Sequence, residues 1–300
     1  MSKAPDKIAM ERINSHGHTV SVDPDKYPEE WVAPMNHVDI DLTVLERSGT
    51  PTLPRANKVG TVSTDGTDIW YASFGRGRTV ILLHGGMGSS KNWTYLVPEL
   101  IRCGFNAVTI DSRGQGRSTR DDRPYSYRQM AADVRTVMDN LGLASVAVVG
   151  WSDGAVTGLL LADEAPERVE RLFFFACNVN ASGTKPFAMT PAIGRMLAHH
   201  RREFAELSQT PSEFDKVFEA VSEMQRTQPD YTAEELSRIE VPVTILLGEH
   251  DEFIQREHLV GLARTLPNAK FRELPGLSHF APLQQPGVFN AAVLEFLDES

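Results

Sequence analysis

The sequence predicts an α/β fold, a mostly parallel sheet with helices on both faces, and three observations lead there. From about residue 57 onward, short apolar runs alternate with stretches of helical spacing, which is how successive βα units read in a sequence. The runs are nearly continuous in apolar residues, as strands covered on both faces must be. One of them, Ser145 to Val149, enters Gly150-Trp151-Ser152-Asp153-Gly154, a Gly-x-Ser-x-Gly turn followed by small residues.

The elements follow in order. Residues 1–55 have no sustained period and carry scattered prolines (Pro24, Pro28, Pro34, Pro51, Pro54). They read as a loop-rich extension that wraps the main body or meets a second copy of the chain in a homo-oligomer. His16, His18 and His37 have no Cys, Asp or His partners at ligand spacing, so no metal is expected there. Lys58 to Thr64, Asp65-Gly66 and Asp68 to Ala72 read as a hairpin, because Asp-Gly between β-prone runs favours a tight turn. Thr79 to Leu83 is a buried strand leading into a glycine-rich turn and a helical stretch from Trp93 to Arg102. Asn106 to Ile110 is the next strand, and Met130, Val134, Val137, Met138 and Leu141 put a helical period through Ser126 to Asn140. After the serine turn come a helix from Gly154 to Ala162 and a strand from Arg171 to Ala176. Strands at Val241 to Leu247 and Lys270 to Leu274 then alternate with helices near His258 to Thr265 and from Pro286 to Leu297.

Between the strands ending near 176 and starting near 241 lies a segment far longer than a crossover loop. Its apolar residues (Ile193, Met196, Leu197, Phe204, Leu207, Phe214, Val217, Phe218, Val221, Met224) recur at helical spacing. Residues 179–240 therefore read as a helical lid over the strand ends, where open α/β sheets bind ligands. The expected organisation is an extension at 1–55, a core at 56–178 and 241–300, and the lid between.

The chain of 300 residues, with a net charge of -10, shows no basic patch. That excludes nucleic acid and an anionic membrane surface as natural partners and leaves a small molecule. Met1 to Asn14 has no apolar core of signal-peptide type, and nowhere do 18 apolar residues run together, so a soluble, cytoplasmic protein is expected. Cys103 and Cys177 are too few for a disulfide framework and are expected to be buried and reduced.

Three fixed positions of Gly-x-Ser-x-Gly recur by chance in roughly one protein in ten of this length, so the turn needs partners. A serine hydroxyl becomes a nucleophile when a base takes its proton. His279 lies in Gly276-Leu277-Ser278-His279-Phe280, a turn just after the last strand, whereas His258 sits within a surface helix; His279 is the preferred base. The strand ending at Leu247 is followed by Gly248-Glu249-His250-Asp251-Glu252, and Asp251 is preferred to the more solvated Glu249 and Glu252 as the acid that orients the imidazole. Leu82-Leu83-His84-Gly85-Gly86-Met87-Gly88 offers unobstructed backbone donors, and the amides of Gly86 and Asp153 are assigned to an oxyanion hole. A phosphate loop would need a Lys-Ser/Thr ending or Gly-x-Gly-x-x-Gly spacing, and neither is present. Trp151, Met87, Trp93, Phe187, Met189 and Phe280 are expected to line an apolar substrate pocket.

These pieces, with Asp111-Ser112-Arg113-Gly114-Gln115-Gly116-Arg117-Ser118, resemble the α/β-hydrolase fold superfamily over about 58–300, the lid apart. The resemblance implies a mostly parallel eight-stranded sheet with the lid inserted after strand 6, a Ser152/Asp251/His279 triad, no cofactor, and a structural role for the Asp111 to Ser118 turn. Serine at the elbow sets the chain apart from haloalkane dehalogenase and epoxide hydrolase members, which use Asp. The Gly-Trp-Ser-Asp-Gly elbow is similar to that of amino-acid-ester hydrolases of the valacyclovir-hydrolase type, where the Asp after the nucleophile binds the substrate's ammonium group. The alternative for Asp153 is that it favours the positive end of its own helix, worth about 0.3–1 kcal/mol. The expected activity is that of a serine esterase acting on a small carboxylic ester. A lactonase would use the same triad, and a binding or receptor protein with slow turnover is the reading from another class.

Overall fold

The computed structural model describes residues 42–299 and the backbone of two short strands, β1 (Met10–Ile13) and β2 (Thr19–Val22). The chain divides between Val38 and Asp39 into two units. In the first, β1 and β2 pair antiparallel, Met10 opposite Val22; His16, His18 and His37 lie outside the described residues.

The second unit begins with α1 (Thr43–Ser48), and Leu42 and Leu45 are buried in the main core. The body thus starts before the boundary expected at 55. A six-residue helix that buries one turn's worth of leucine is too short to show a period. The hairpin β3 (Lys58–Thr64) and β4 (Thr67–Gly75) follows, then β5 (Thr79–Leu83), α2 (Leu96–Arg102), β6 (Asn106–Ile110), α3 (Tyr127–Leu141), β7 (Val146–Trp151), α4 (Asp153–Glu164) and β8 (Val169–Phe175). The long segment after β8 holds α5 (Pro191–Leu207), α6 (Phe214–Thr227) and α7 (Ala233–Leu236). The chain closes with β9 (Val243–Gly248), α8 (Arg256–Thr265), β10 (Ala269–Leu274), α9 (Ala281–Gln284) and α10 (Pro286–Asp298).

Eight strands form one sheet in the order β10-β9-β8-β7-β5-β6-β4-β3. Only the β3–β4 and β4–β6 pairs are antiparallel. Every residue of β7 and of β9 is buried, the consequence of helices on both sheet faces. The three consecutive phenylalanines of β8 point alternately into those layers. Phe173 and Phe175 pack edge-on to Phe289 of α10 at 5.6 and 5.3 Å. Helix ends follow local chemistry: the Ser126 hydroxyl accepts the Gln129 amide at the start of α3, and Gly142, at φ 66°, closes it.

Parallel strands all finish on one edge, and that decides where the site can be. Leu83 pairs with Gly150, and Leu274 with Gly248, so the segments beginning at His84, Ser152, Glu249 and Pro275 all emerge at the same edge of the sheet. The chain reverses its direction of travel between β5 and β7, the switch point at which such sheets open a crevice.

In the inserted segment Phe214, Val217, Val221 and Met224 of α6 are buried while Phe218 is partly exposed. Cys177 is buried, but Cys103 is exposed, contrary to expectation; it stands at the C-cap of α2, past the helix's last buried residue, Leu100. Among the described residues no helix is long and apolar enough to cross a membrane.

Candidate active site

Ser152 stands between the end of β7 and the start of α4 at φ 53°, ψ -123°, a conformation that a non-glycine residue holds only when its surroundings impose it. Its amide donates to the Phe175 carbonyl at 2.8 Å, and its carbonyl accepts the Ala155 amide at 2.7 Å. The flanking glycines permit the turn: a Cβ on Gly150 would stand 2.5 Å from the Ala155 Cα, and one on Gly154 would overlap the Leu83 carbonyl. The result is a half-buried hydroxyl carried on a rigid, sharply bent backbone.

Asp251 and His279 meet beside it. The Asp251 side chain is wholly buried; its Oδ1 accepts the Phe253 and Ile254 amides, each at 2.8 Å. Its Oδ2 lies 2.8 Å from His279 Nδ1, so Nδ1 carries the proton and Nε2 keeps the lone pair of the neutral ring. Lys185 Nζ donates to the Asp251 carbonyl at 2.6 Å. The Phe253 ring lies edge-on to the imidazole at 4.7 Å. Burial pulls the His279 pKa down, but the Asp251, Glu252 and Asp153 carboxylates outweigh it and hold it above the ordinary value. Among the described residues no hydrogen bond joins Ser152 to His279.

One expectation about this corner changes. Glu252 is half-buried rather than solvated, because the turn after Asp251 folds beneath the His279 loop; burial raises its pKa, against the pull of the His279 amide it accepts at 2.9 Å. Glu249 stays exposed and accepts the Gly276 amide. His258 lies half-buried on the surface helix α8: its Nε2 accepts the Val179 amide at 3.0 Å, and burial lowers its pKa.

The glycine-rich loop after β5 lies against the serine. A Cβ on Gly85 would stand 3.2 Å from the Ser152 Cβ. His84 is buried and neutral: its Nδ1 donates to the Gly85 carbonyl, its Nε2 accepts the Ser112 amide, and burial lowers its pKa. Among the described residues the amides of Gly86 and Asp153 have no acceptor, the latter because the first amides of a helix find none within it. The Asp111 to Ser118 turn braces the loop. Asp111 accepts the Ser90 and Arg117 amides, Gln115 accepts the Met87 amide at 2.6 Å, and the buried Arg113 grips Asp133 through two bonds of 2.6 and 2.7 Å.

Asp153 is buried beside Gly86. Its carboxyl accepts the Tyr127 hydroxyl at 2.8 Å and the Gln225 side-chain amide at 3.0 and 3.1 Å. Burial raises its pKa, with Tyr127 and Gln225 opposing. A Cβ on Gly86 would stand 2.6 Å from Gln225 Nε2, so α6 reaches the glycine-rich loop. Glu203 of α5 touches the same region, accepting the Ser89 hydroxyl at 3.3 Å with Lys91 Nζ 3.6 Å away. Gln225 and Tyr127 escape sequence reasoning because nothing in a polar helix position announces which distant carboxylate it will meet.

Of the residues expected to line a pocket, Trp151 and Phe280 are buried around the imidazole, at 6.1 and 5.6 Å between rings. Met87 is buried in the glycine-rich loop at φ 63°. Trp93 instead belongs to the core, packed on Phe289 at 6.3 Å with no exposed surface, because the short helical turn Ser90–Trp93 directs it at α10. Phe187 and Met189 are 68% and 60% exposed on the segment leading into α5. Among the described residues no cluster of three or more His, Cys, Asp or Glu side chains could hold a metal ion.

A family model described as the alpha/beta hydrolase fold matches residues 78–194. The chain is 28% identical over 249 residues to the sn-1-specific diacylglycerol lipase ABHD11 of Mus musculus, covering 73% of this chain and 80% of that protein. It is 27% identical over 275 residues to a non-heme haloperoxidase of Rhodococcus erythropolis, covering 79% and 98%. Among solved structures, that of Est816, titled an N-acyl homoserine lactone degrading enzyme, superposes with a TM-score of 0.64 at 23% identity, covering 79% of this chain and all of that one.

Proposed function

The chain belongs to the α/β-hydrolase fold superfamily, and from that premise we propose that it is a cofactor-independent serine hydrolase cleaving a small-molecule carboxylic ester. The observation that carries the reading is the buried Asp251–His279 pair, bonded at 2.8 Å, on the same sheet edge as a serine held at φ 53°. A diacylglycerol lipase among the relatives agrees with ester chemistry.

In this reading Ser152 Oγ attacks the ester carbonyl as His279 Nε2 takes its proton, and the Gly86 and Asp153 amides hold the oxyanion. His279 then protonates the departing alcohol as the carbon–oxygen bond breaks, leaving acyl-Ser152. Water attacks the acyl carbon while His279 removes its proton; return of that proton to Ser152 Oγ releases the acid. Asp251 stays ionised throughout and stabilises the imidazolium. Residues 179–240 act as the lid, with Gln225 and Glu203 as their footholds on the glycine-rich loop. Asp153, its carboxyl set beside Gly86, is the group that would take up an amino group on the acyl side.

Labelling with a fluorophosphonate probe tests the proposal. The native chain takes up one probe and Ser152→Ala takes up none; equal labelling of the two would refute it. A panel of esters and lactones, read as kcat/KM, then defines the acyl and alcohol groups accepted.

A further inference from the structure

Asp251, Glu252 and Phe253 are consecutive, and each touches His279 differently. Asp251 bonds Nδ1 at 2.8 Å, Glu252 Oε2 accepts the main-chain amide at 2.9 Å, and the Phe253 ring meets the imidazole edge-on at 4.7 Å. Asp251 in turn fixes the same loop from within by accepting the Phe253 and Ile254 amides. The loop is also anchored from outside: Lys185 donates its main-chain amide to the Phe253 carbonyl at 2.7 Å and its ammonium to the Asp251 carbonyl.

We propose that Glu252 is a positioning residue for the hydrolytic reaction, holding the backbone of His279 while Asp251 holds its ring. The inference rests on the reading of His279 as the general base. A histidine in a turn has two freedoms, rotation of the ring and movement of the main chain that carries it. Asp251 and Phe253 restrain the first and Glu252 the second. Without an acceptor at Glu252, the His279 amide would be a half-enclosed donor with no partner, and the main chain of His279 would lose its own bond to the acid loop, whose other ties hold Leu277 and the ring.

The carboxylate also acts through charge. The charged groups facing His279 are Asp251 and Glu252 from the loop before α8, Asp153 from the start of α4, and Lys185, whose ammonium sits on the Asp251 carbonyl. Those facing Glu252 are His279 and Asp251. All three carboxylates favour the imidazolium, so removing one of them lets His279 remain a neutral base at lower pH.

The test uses the full chain and the pH dependence of the rate of fluorophosphonate labelling of Ser152, which needs no identified substrate. In Glu252→Gln the amide oxygen still accepts the His279 N–H but the charge is gone. The pH of half-maximal rate should move down while the plateau stays within about threefold of native. In Glu252→Ala the bond is lost as well and the plateau should fall about tenfold, so that Gln rescues what Ala loses. A purely structural contact would leave the midpoint where it is. An unmoved midpoint in Glu252→Gln overturns the proposal, as does a native plateau in Glu252→Ala; if Ala does not fold, the Gln profile alone decides. A native chain that labels with an unmoved Gln profile refutes only the role of Glu252, whereas a native chain that does not label refutes the serine hydrolase reading and this inference with it.

Discussion

Replacing Asp251 by Asn should separate catalysis from stability. Oδ1 of Asp251 accepts two backbone amides at 2.8 Å, and only an oxygen can occupy that place. The Asn side chain is therefore forced to keep its oxygen there and to turn its NH2 toward His279. An NH2 group donates, so Nδ1 must become the acceptor and the ring proton moves to Nε2. In that tautomer Nε2 cannot accept the Ser152 proton, and the rate should fall by about 10³–10⁴-fold, equivalent to roughly 4–5.5 kcal/mol. Because both backbone bonds survive, stability should change little. Asp251→Ala removes the same carboxylate but also leaves the Phe253 and Ile254 amides without an acceptor, at about 1–3 kcal/mol each. Its Tm should drop on the order of 10 °C. The assay pairs fluorophosphonate labelling rates with thermal unfolding followed by circular dichroism. Asp251→Asn keeping a tenth or more of the native labelling rate would refute the tautomer argument.

Two other expectations follow from the elbow. Gly154→Ala places a methyl group on the Leu83 carbonyl, 2.8 Å from that of His84, so it should both destabilise the chain by about 3 kcal/mol or more and abolish probe labelling; a native Tm with native labelling would contradict the close approach. Asp153→Asn should lower the kcat/KM of an α-amino ester relative to its desamino counterpart by about tenfold, and an unchanged ratio rules out amine recognition at Asp153.

How much of this was legible beforehand differs from element to element. Strands Thr79–Leu83 and Asn106–Ile110 fall where their apolar runs lie, since a strand buried on both faces has little choice but to be apolar throughout. Ser152, Asp251 and His279 stand out as candidates because each follows a strand, and parallel strands deliver their ends to one edge. Glu252 reads as solvated in the sequence for the opposite reason. Its burial depends on how the loop after β9 folds under the turn after β10, two segments 27 positions apart. Trp93 has the chemistry of a pocket residue, but a single helical turn points it at Phe289.

The sequence by itself determined the sheet, the order of its strands' chemistry and the sharp turn at Ser152, because apolar periodicity and the absence of side chains at Gly150 and Gly154 act locally. Only the tertiary structure decided that Asp153 would be bonded by Tyr127 and Gln225, that α5 and α6 would reach the glycine-rich loop, and that two neighbouring carboxylates would hold one histidine. Hydrogen bonds between segments tens of residues apart depend on distances that the packed core sets, and no local pattern of residues encodes those distances.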